Sequence, residues 1–278
     1  MRGGTLFGSP GAVARAKARP HRLLHLLHFL PSVRRRLTLL GRVDRVIAHF
    51  LVPSGYPLSL GTCPDVEIVL HGSDVRLVLA LPRLARRHLV ESLLARGNRF
   101  RFVAEDLRAR LLASLAREQA DKVRASSSVE LPMISFSAES RAIAASRVPF
   151  PANAALANWV VCARLVRSKR VDLAIREAAR QRAKLTVIGD GPLRGELEAF
   201  AASFEPRARF TGHLPRGDAL ALIADAHKLI HLSEAEGAPT VIREARALGV
   251  PVLATAVGDV ARWAAEDPGI ELFRPVAG

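Results

Sequence analysis

Lys228-Leu-Ile-His-Leu-Ser-Glu-Ala-Glu-Gly-Ala-Pro-Thr-Val-Ile-Arg-Glu244 is the stretch that decides the fold. Its first five residues read as a short strand. Ser233 to Gly237 reads as a loop. Pro239 sits where a helix begins; its fixed φ suits the first turn and its missing N–H is no loss there. Gly249 ends that helix, and Val250-Pro-Val-Leu-Ala-Thr255 reads as the next strand. The unit carries two carboxylates, Glu236 near the carboxyl end of the strand and Glu244 eight positions on, one to two turns into the helix. In an open α/β sheet, ligands bind at that end of the strands. The N–H groups of Thr240 and Val241, after Ala238, have no helical partner and suit a phosphate.

The same rhythm runs outward from this unit. Strands are expected at 159–163, 185–189 and 209–211, with helices at 170–181, 193–203 and 216–226 between them. In the first half, strands are expected at 43–50, 66–71, 101–104 and 127–132, with helices over 76–95 and about 106–120. Residues 133–157 lack periodicity, contain Pro149 and Pro151, and read as a linker. The expectation is α/β: two doubly wound, Rossmann-like parallel-sheet domains, 1–149 and 150–278, facing a cleft.

Composition narrows the function. The net charge is +15, and 1–149 carries 24 Lys/Arg against 11 Asp/Glu. Nine Lys/Arg precede the first acid, Asp44, around His21-Arg-Leu-Leu-His-Leu-Leu-His-Phe-Leu30. A basic amphipathic helix of this kind either packs on a sheet or rests on an anionic membrane surface. Aromatics are 5% of residues, with one Tyr and two Trp, too few for base-stacking platforms, so nucleic acid is a poor partner. Cys63 and Cys162 stand apart, without disulfide or metal spacing, and suit a reducing, cytoplasmic setting as small core residues. No apolar run reaches the length of a membrane span.

In order along the chain, Ala163-Arg-Leu165 with Lys169, Gly189-Asp-Gly-Pro-Leu-Arg194, Phe210-Thr-Gly212 and the Glu236/Glu244 pair followed by Gly249-Val-Pro-Val resemble the group-1 (family 4) glycosyltransferases of the GT-B fold. His71-Gly-Ser-Asp74, and more loosely His49 with Pro53-Ser-Gly55, resemble that family's acceptor-side domain. The resemblance implies a nucleoside diphosphate sugar donor, UDP- or GDP-linked, no further cofactor, and transfer with retention to a glycan or lipid-linked acceptor in polysaccharide biosynthesis. It implies that Arg164 and Lys169 meet the diphosphate, with the helix end at Gly237, Ala238, Pro239, Thr240 and Val241. Glu244 would accept both ribose hydroxyls, and Glu236 would hold donor-sugar hydroxyls beside the reacting carbon. His71 would approach the sugar from the other domain; alternatively it is a strand-end histidine bonded to backbone. Gly189 and Gly191 fall in the implied donor site; both suit the strand-to-helix turn, and Gly191 could also let the base or phosphate come close. With two cations and a helix end, no metal is required, and no Asp-x-Asp pair offers one a site.

The chain departs from the family in having Ala163 and Arg170 where glycine is frequent. The opening strand and Gly-rich loop of the first domain and the closing helices of the second are not apparent, so the chain reads as truncated at both ends. That leaves a nucleotide-sugar-binding remnant without turnover as the alternative function.

Overall fold

We describe a computed structural model of the chain over residues 31–33, 35, 36, 39, 41, 43–56, 65–145 and 157–274. The basic segment His21–Leu30 lies outside these residues. The chain divides into two compact units between Leu131 and Pro132. The sequence reading puts the division at 149/150. Residues 132–145 instead fall with the second unit, because Phe136 packs on its core and Arg216 and Arg243 donate to the carbonyls of Ser135 and Pro132.

In the first unit β1 (Val46–His49), β2 (Val66–Leu70), β3 (Arg99–Phe102) and β4 (Ser127–Val129) form a parallel sheet in that order. Helices α1 (Ser73–Ala80), α2 (Arg83–Leu94), α3 (Glu105–Ala113) and α4 (Arg117–Ala125) alternate with the strands. Two helices expected as single pieces are each two. Pro82 has no N–H to continue α1, and it holds Leu81 extended at ψ 147°. At the end of α3 the Ser114 hydroxyl donates to the Leu111 carbonyl, a local bond that competes with helix propagation.

One set of alternating side chains, including Ile68, Leu70, Phe100 and Phe102, is buried with Val75, Leu93, Leu107 and Val123 of the helices. The other set carries an ion ladder. Glu67, only 5% exposed, accepts from Arg45 at 2.5 Å and from Arg101 at 2.8 Å. Arg101 reaches on to Glu130, and Arg99 pairs with Asp65. The Arg101 hydrogen bond, against the opposing effect of burial and with help from Arg45, holds the Glu67 carboxyl below its usual value.

In the second unit β5 (Asn158–Cys162), β6 (Lys184–Ile188), β7 (Arg209–Gly212), β8 (Lys228–His231), β9 (Val252–Ala254) and β10 (Ile270–Leu272) form a sheet in the order β10-β9-β8-β5-β6-β7. The ladders are parallel. Apolar residues occupy both faces, as a sheet covered on both sides requires. On β5, Trp159 and Val161 face one core and Val160 the other. The first core takes Val171, Ala174, Ile175 and Ala178 from α6 (Val171–Arg180), spaced at one helical face, and Leu197 from α7 (Arg194–Ala201). The second takes α8 (Arg216–Asp225), α9 (Thr240–Ala247) and α10 (Val260–Glu266), through Ile223, Ile242, Ala245 and Trp263. The expected linker contains a helix, α5 (Ala138–Ala145).

Candidate functional site

From β5 the chain builds outward both ways, through β6 and β7 on one side and β8, β9 and β10 on the other. The loops after β5 and β8 therefore leave to opposite sides, and a crevice opens between them at the carboxyl ends of the strands. Two of the side chains that the sequence singled out, Lys169 and Glu236, meet there. The β5 loop carries Arg164, exposed, and then a 3-10 turn, Arg167–Lys169. Lys169 Nζ donates to Glu236 Oε1 in the β8 loop. The Nε2 of His231, the last residue of β8, lies 2.9 Å from the same oxygen. An ionised carboxylate only accepts, so this contact puts the proton on Nε2. The backbone is tied too, with Glu234 N–H donating to the Ser168 carbonyl at 2.9 Å.

The Glu236 side chain is only 13% exposed. Burial by itself would raise its pKa, but the bond from His231 and the charge and bond of Lys169 outweigh it and bring it down to about 2. A carboxyl depressed in the folded state stabilises the fold above its unfolded value of 4.5, and that contribution is lost as the pH falls towards 2. We expect the melting temperature of the wild type to fall more steeply than that of Glu236→Gln across this window. The difference corresponds to roughly 3 kcal/mol at the bottom of it. Parallel slopes in a scanning-calorimetry series would show that the carboxylate is not held in this way.

Gly189 and Gly191 prove to be needed by the backbone. Gly189 has φ +132°, and a Cβ on it would lie 2.0 Å from the Ala163 carbonyl oxygen. A Cβ on Gly191 would lie 2.4 Å from the Leu165 carbonyl oxygen. The β6 loop thus packs directly on the segment that carries Arg164, with Leu165 N–H donating to the Asp190 carbonyl at 2.9 Å. Arg170 takes φ 44°, left-handed, a conformation that glycine adopts at least cost. Bonds from its guanidinium to Asp172 and Glu234 tie it across the two loops.

Pro239 stands just before α9, whose first turn, beginning Thr240-Val241, has neither a side-chain cap nor an acidic residue. Ile242 N–H donates back to the Pro239 carbonyl at 3.2 Å, and the helix end at Thr240 and Val241 favours an anion. Glu244 is buried on α9 and accepts from Arg216 Nη1 at 2.7 Å. Arg216 is 54% exposed and also holds the Ser135 carbonyl. Cys162 at the end of β5 senses this carboxylate: burial first, then Glu244, push its thiol up to about 11 against the pull of Arg216. It is an unreactive partly buried residue. Gly258, at φ +58°, lies against the Glu236–Gly237 backbone; a Cβ there would meet the Gly237 oxygen at 2.4 Å.

His71 belongs to the first unit. It follows β2, and its Nε2 lies 2.9 Å from His49 Nδ1 at the end of β1. Burial lowers the His71 pKa, Asp74 opposes this, and His49 adds to the lowering, so the ring is neutral near pH 7. Asp74 is buried and accepts N–H bonds from His71, Leu51 and Val75. It ties the two histidine-bearing turns together and also takes the Val75 N–H in the first turn of α1. Beside them Phe50 holds φ 67°, a strained value for a bulky residue, with its ring 4.5 Å from His71.

Residues 157–274 match the family "Glycosyl transferases group 1". The second unit thus resembles a group 1 glycosyltransferase domain over residues 157–274. The chain is 29% identical over 230 residues to TuaC of Bacillus subtilis (strain 168), provisionally named as a teichuronic acid biosynthesis glycosyltransferase, covering 78% of this chain and 54% of that one. It thus spans about half the length of this curated relative. Among solved structures it resembles sucrose-phosphate synthase from Thermosynechococcus elongatus, with TM-score 0.66, 17% identity, 93% of this chain and 67% of that one. It also resembles Anabaena HepE in complex with UDP, with TM-score 0.60, 15% identity, 90% of this chain and 68% of that one. The fold is therefore the GT-B type of parallel-sheet α/β units that the sequence resemblance implies.

Within the second unit the structure joins Lys169 to Glu236 and seats Gly189 and Gly191 against the Arg164 segment. It gives Glu244 a separate partner, Arg216. His231, Arg216 and Gly258 were missed as site residues. His231 had a signal, since it ends the strand that leads into the Glu236 loop; Arg216 had none, lying 28 positions from its partner. Among the described residues no group of three or more His, Cys, Asp or Glu could hold a metal ion, and no helix is long and apolar enough to cross a membrane.

Proposed function

We propose that this chain binds a nucleoside diphosphate sugar, UDP- or GDP-linked, in the crevice of the second unit and transfers the sugar to a glycan or lipid-linked acceptor. One observation carries the reading: a cation, a buried histidine and a partly buried carboxylate meet at the switch point, where the loops after β5 and β8 diverge. The diphosphate takes Arg164, Lys169 and the uncapped first turn of α9, which together oppose the charge growing on the leaving group. Arg164 suits a forked contact and Lys169 a point-charge contact. These groups supply the charge that a metal otherwise would. Glu236 meets the donor sugar, and Glu244 the ribose, sharing its carboxylate between Arg216 and the hydroxyls. His71, its ring kept neutral by burial, approaches the donor sugar from the first unit.

Two named proteins favour the donor and acceptor classes. HepE has been crystallised with UDP and with UDP-glucose, and TuaC is named for teichuronic acid biosynthesis. The excess of Lys/Arg in 1–149 suits work at the anionic cytoplasmic face of a membrane, where lipid-linked acceptors lie. Transfer proceeds with retention, the leaving phosphate taking the acceptor's proton.

A panel of UDP-, GDP- and ADP-sugars tests this, scoring bound and released nucleotide in the same samples. Release identifies a transferase and its donor; binding without release identifies a donor-binding protein; neither, in a folded sample, overturns the reading. In the same assay Glu244→Gln is expected to weaken nucleotide affinity about tenfold, the loss of one charge-assisted bond. Equal calorimetric affinities would remove Glu244 from the ribose.

A further inference from the structure

We propose that His231 is a positioning residue that keeps the Glu236 carboxylate in place when Lys169 turns from it to a phosphate. The inference rests on the reading above, in which Glu236 meets the sugar and Lys169 the diphosphate.

Lys169 and His231 share one oxygen of Glu236, but they differ as holders. Lys169 sits in a surface turn at the end of a flexible four-carbon stem, with three rotatable donors. A diphosphate carries more negative charge than the carboxylate and competes for that ammonium. His231 cannot follow. Its side chain is 5% exposed, its residue is registered against Ala254 in β9, and its carbonyl accepts from Thr255 N–H at 3.2 Å. One donor is movable and the other fixed, so the fixed one decides where the carboxylate points in the loaded site. The loop backbone has separate anchors, Glu234 N–H on the Ser168 carbonyl and Thr255 Oγ1 on the Ser233 carbonyl at 2.6 Å. Loss of the imidazole therefore frees the Glu236 side chain without releasing the loop.

The test compares wild type, His231→Leu and His231→Gln, with melting temperatures to confirm folding. UDP and UDP-glucose affinities are measured by calorimetry (or the GDP pair, if the donor panel selects it), and turnover in parallel. His231→Leu is expected to keep UDP affinity within about twofold and lose the extra affinity for the sugar. Its kcat should drop about 10–100-fold, the scale of a small misplacement at a reacting centre. His231→Gln, which supplies an N–H at a similar reach, should recover most of that loss. Wild-type kcat in His231→Leu, UDP affinity falling in step with kcat, or a glutamine variant no better than leucine would each overturn the proposal. If the wild type binds no nucleotide at all, the donor reading is what fails. The clamp is then read directly by carbon NMR of the Glu236 carboxyl, which should titrate at higher pH in His231→Leu than in wild type; identical titrations overturn it.

Discussion

Glu236→Ala is expected to lower donor turnover by about 10²–10³-fold, the range found when one preorganised group at a reacting centre is removed. The variant loses more than a contact to the sugar. It leaves Lys169 and His231 facing each other across an empty space, without the carboxylate oxygen they share. Lys169 then has no carboxylate to hold it before the donor arrives. Nucleotide affinity should change far less than kcat, or rise, because the ammonium no longer has an internal partner. The check is a full rate curve beside a calorimetric UDP titration. Turnover within tenfold of wild type would place the reacting carbon elsewhere.

Gly189→Ala is expected to destabilise the second unit by about 2–5 kcal/mol, combining a strained backbone with a forced overlap. At φ +132° an alanine is strained whatever space it has, and here the added carbon would fall 2.0 Å from the Ala163 carbonyl oxygen. The backbone of neither loop can yield alone, since Gly189 N–H is already committed to the Gly212 carbonyl and Ala163 N–H to the Ile188 carbonyl. Urea denaturation followed at the two tryptophans, Trp159 and Trp263, reports on this unit. A loss under about 1 kcal/mol would mean that the two loops can separate, and would return Gly189 to the ligand-contact role.

The central strands β5, β8 and β9 could be read in advance because each is a largely apolar, largely buried run too short for a helix. The glutamate loop could be read because Gly237, Pro239 and Gly249 punctuate it. Boundaries set by tertiary packing could not. Ala138–Ala145 forms a helix without an apolar stripe that periodicity could detect. Lys169 and Glu236 were each expected at a phosphate or a sugar, and their bond to each other is visible only once β5 and β8 are adjacent. The Arg216–Glu244 pair depends in the same way on α8 and α9 packing on one face. Gly258 looked like any loop glycine until its neighbour proved to be the Gly237 backbone.

The ion ladder of the first unit also guards against mispairing. Val66–Leu70 is buried along its whole length, so apolar content alone would let it slide against its neighbours. Glu67 removes that freedom. A shift of one residue would turn its charge towards Phe100 and Phe102, away from both Arg45 and Arg101, and strand a bare carboxylate among aromatic rings. One acidic residue in an otherwise oily strand thus rejects every odd-numbered slip.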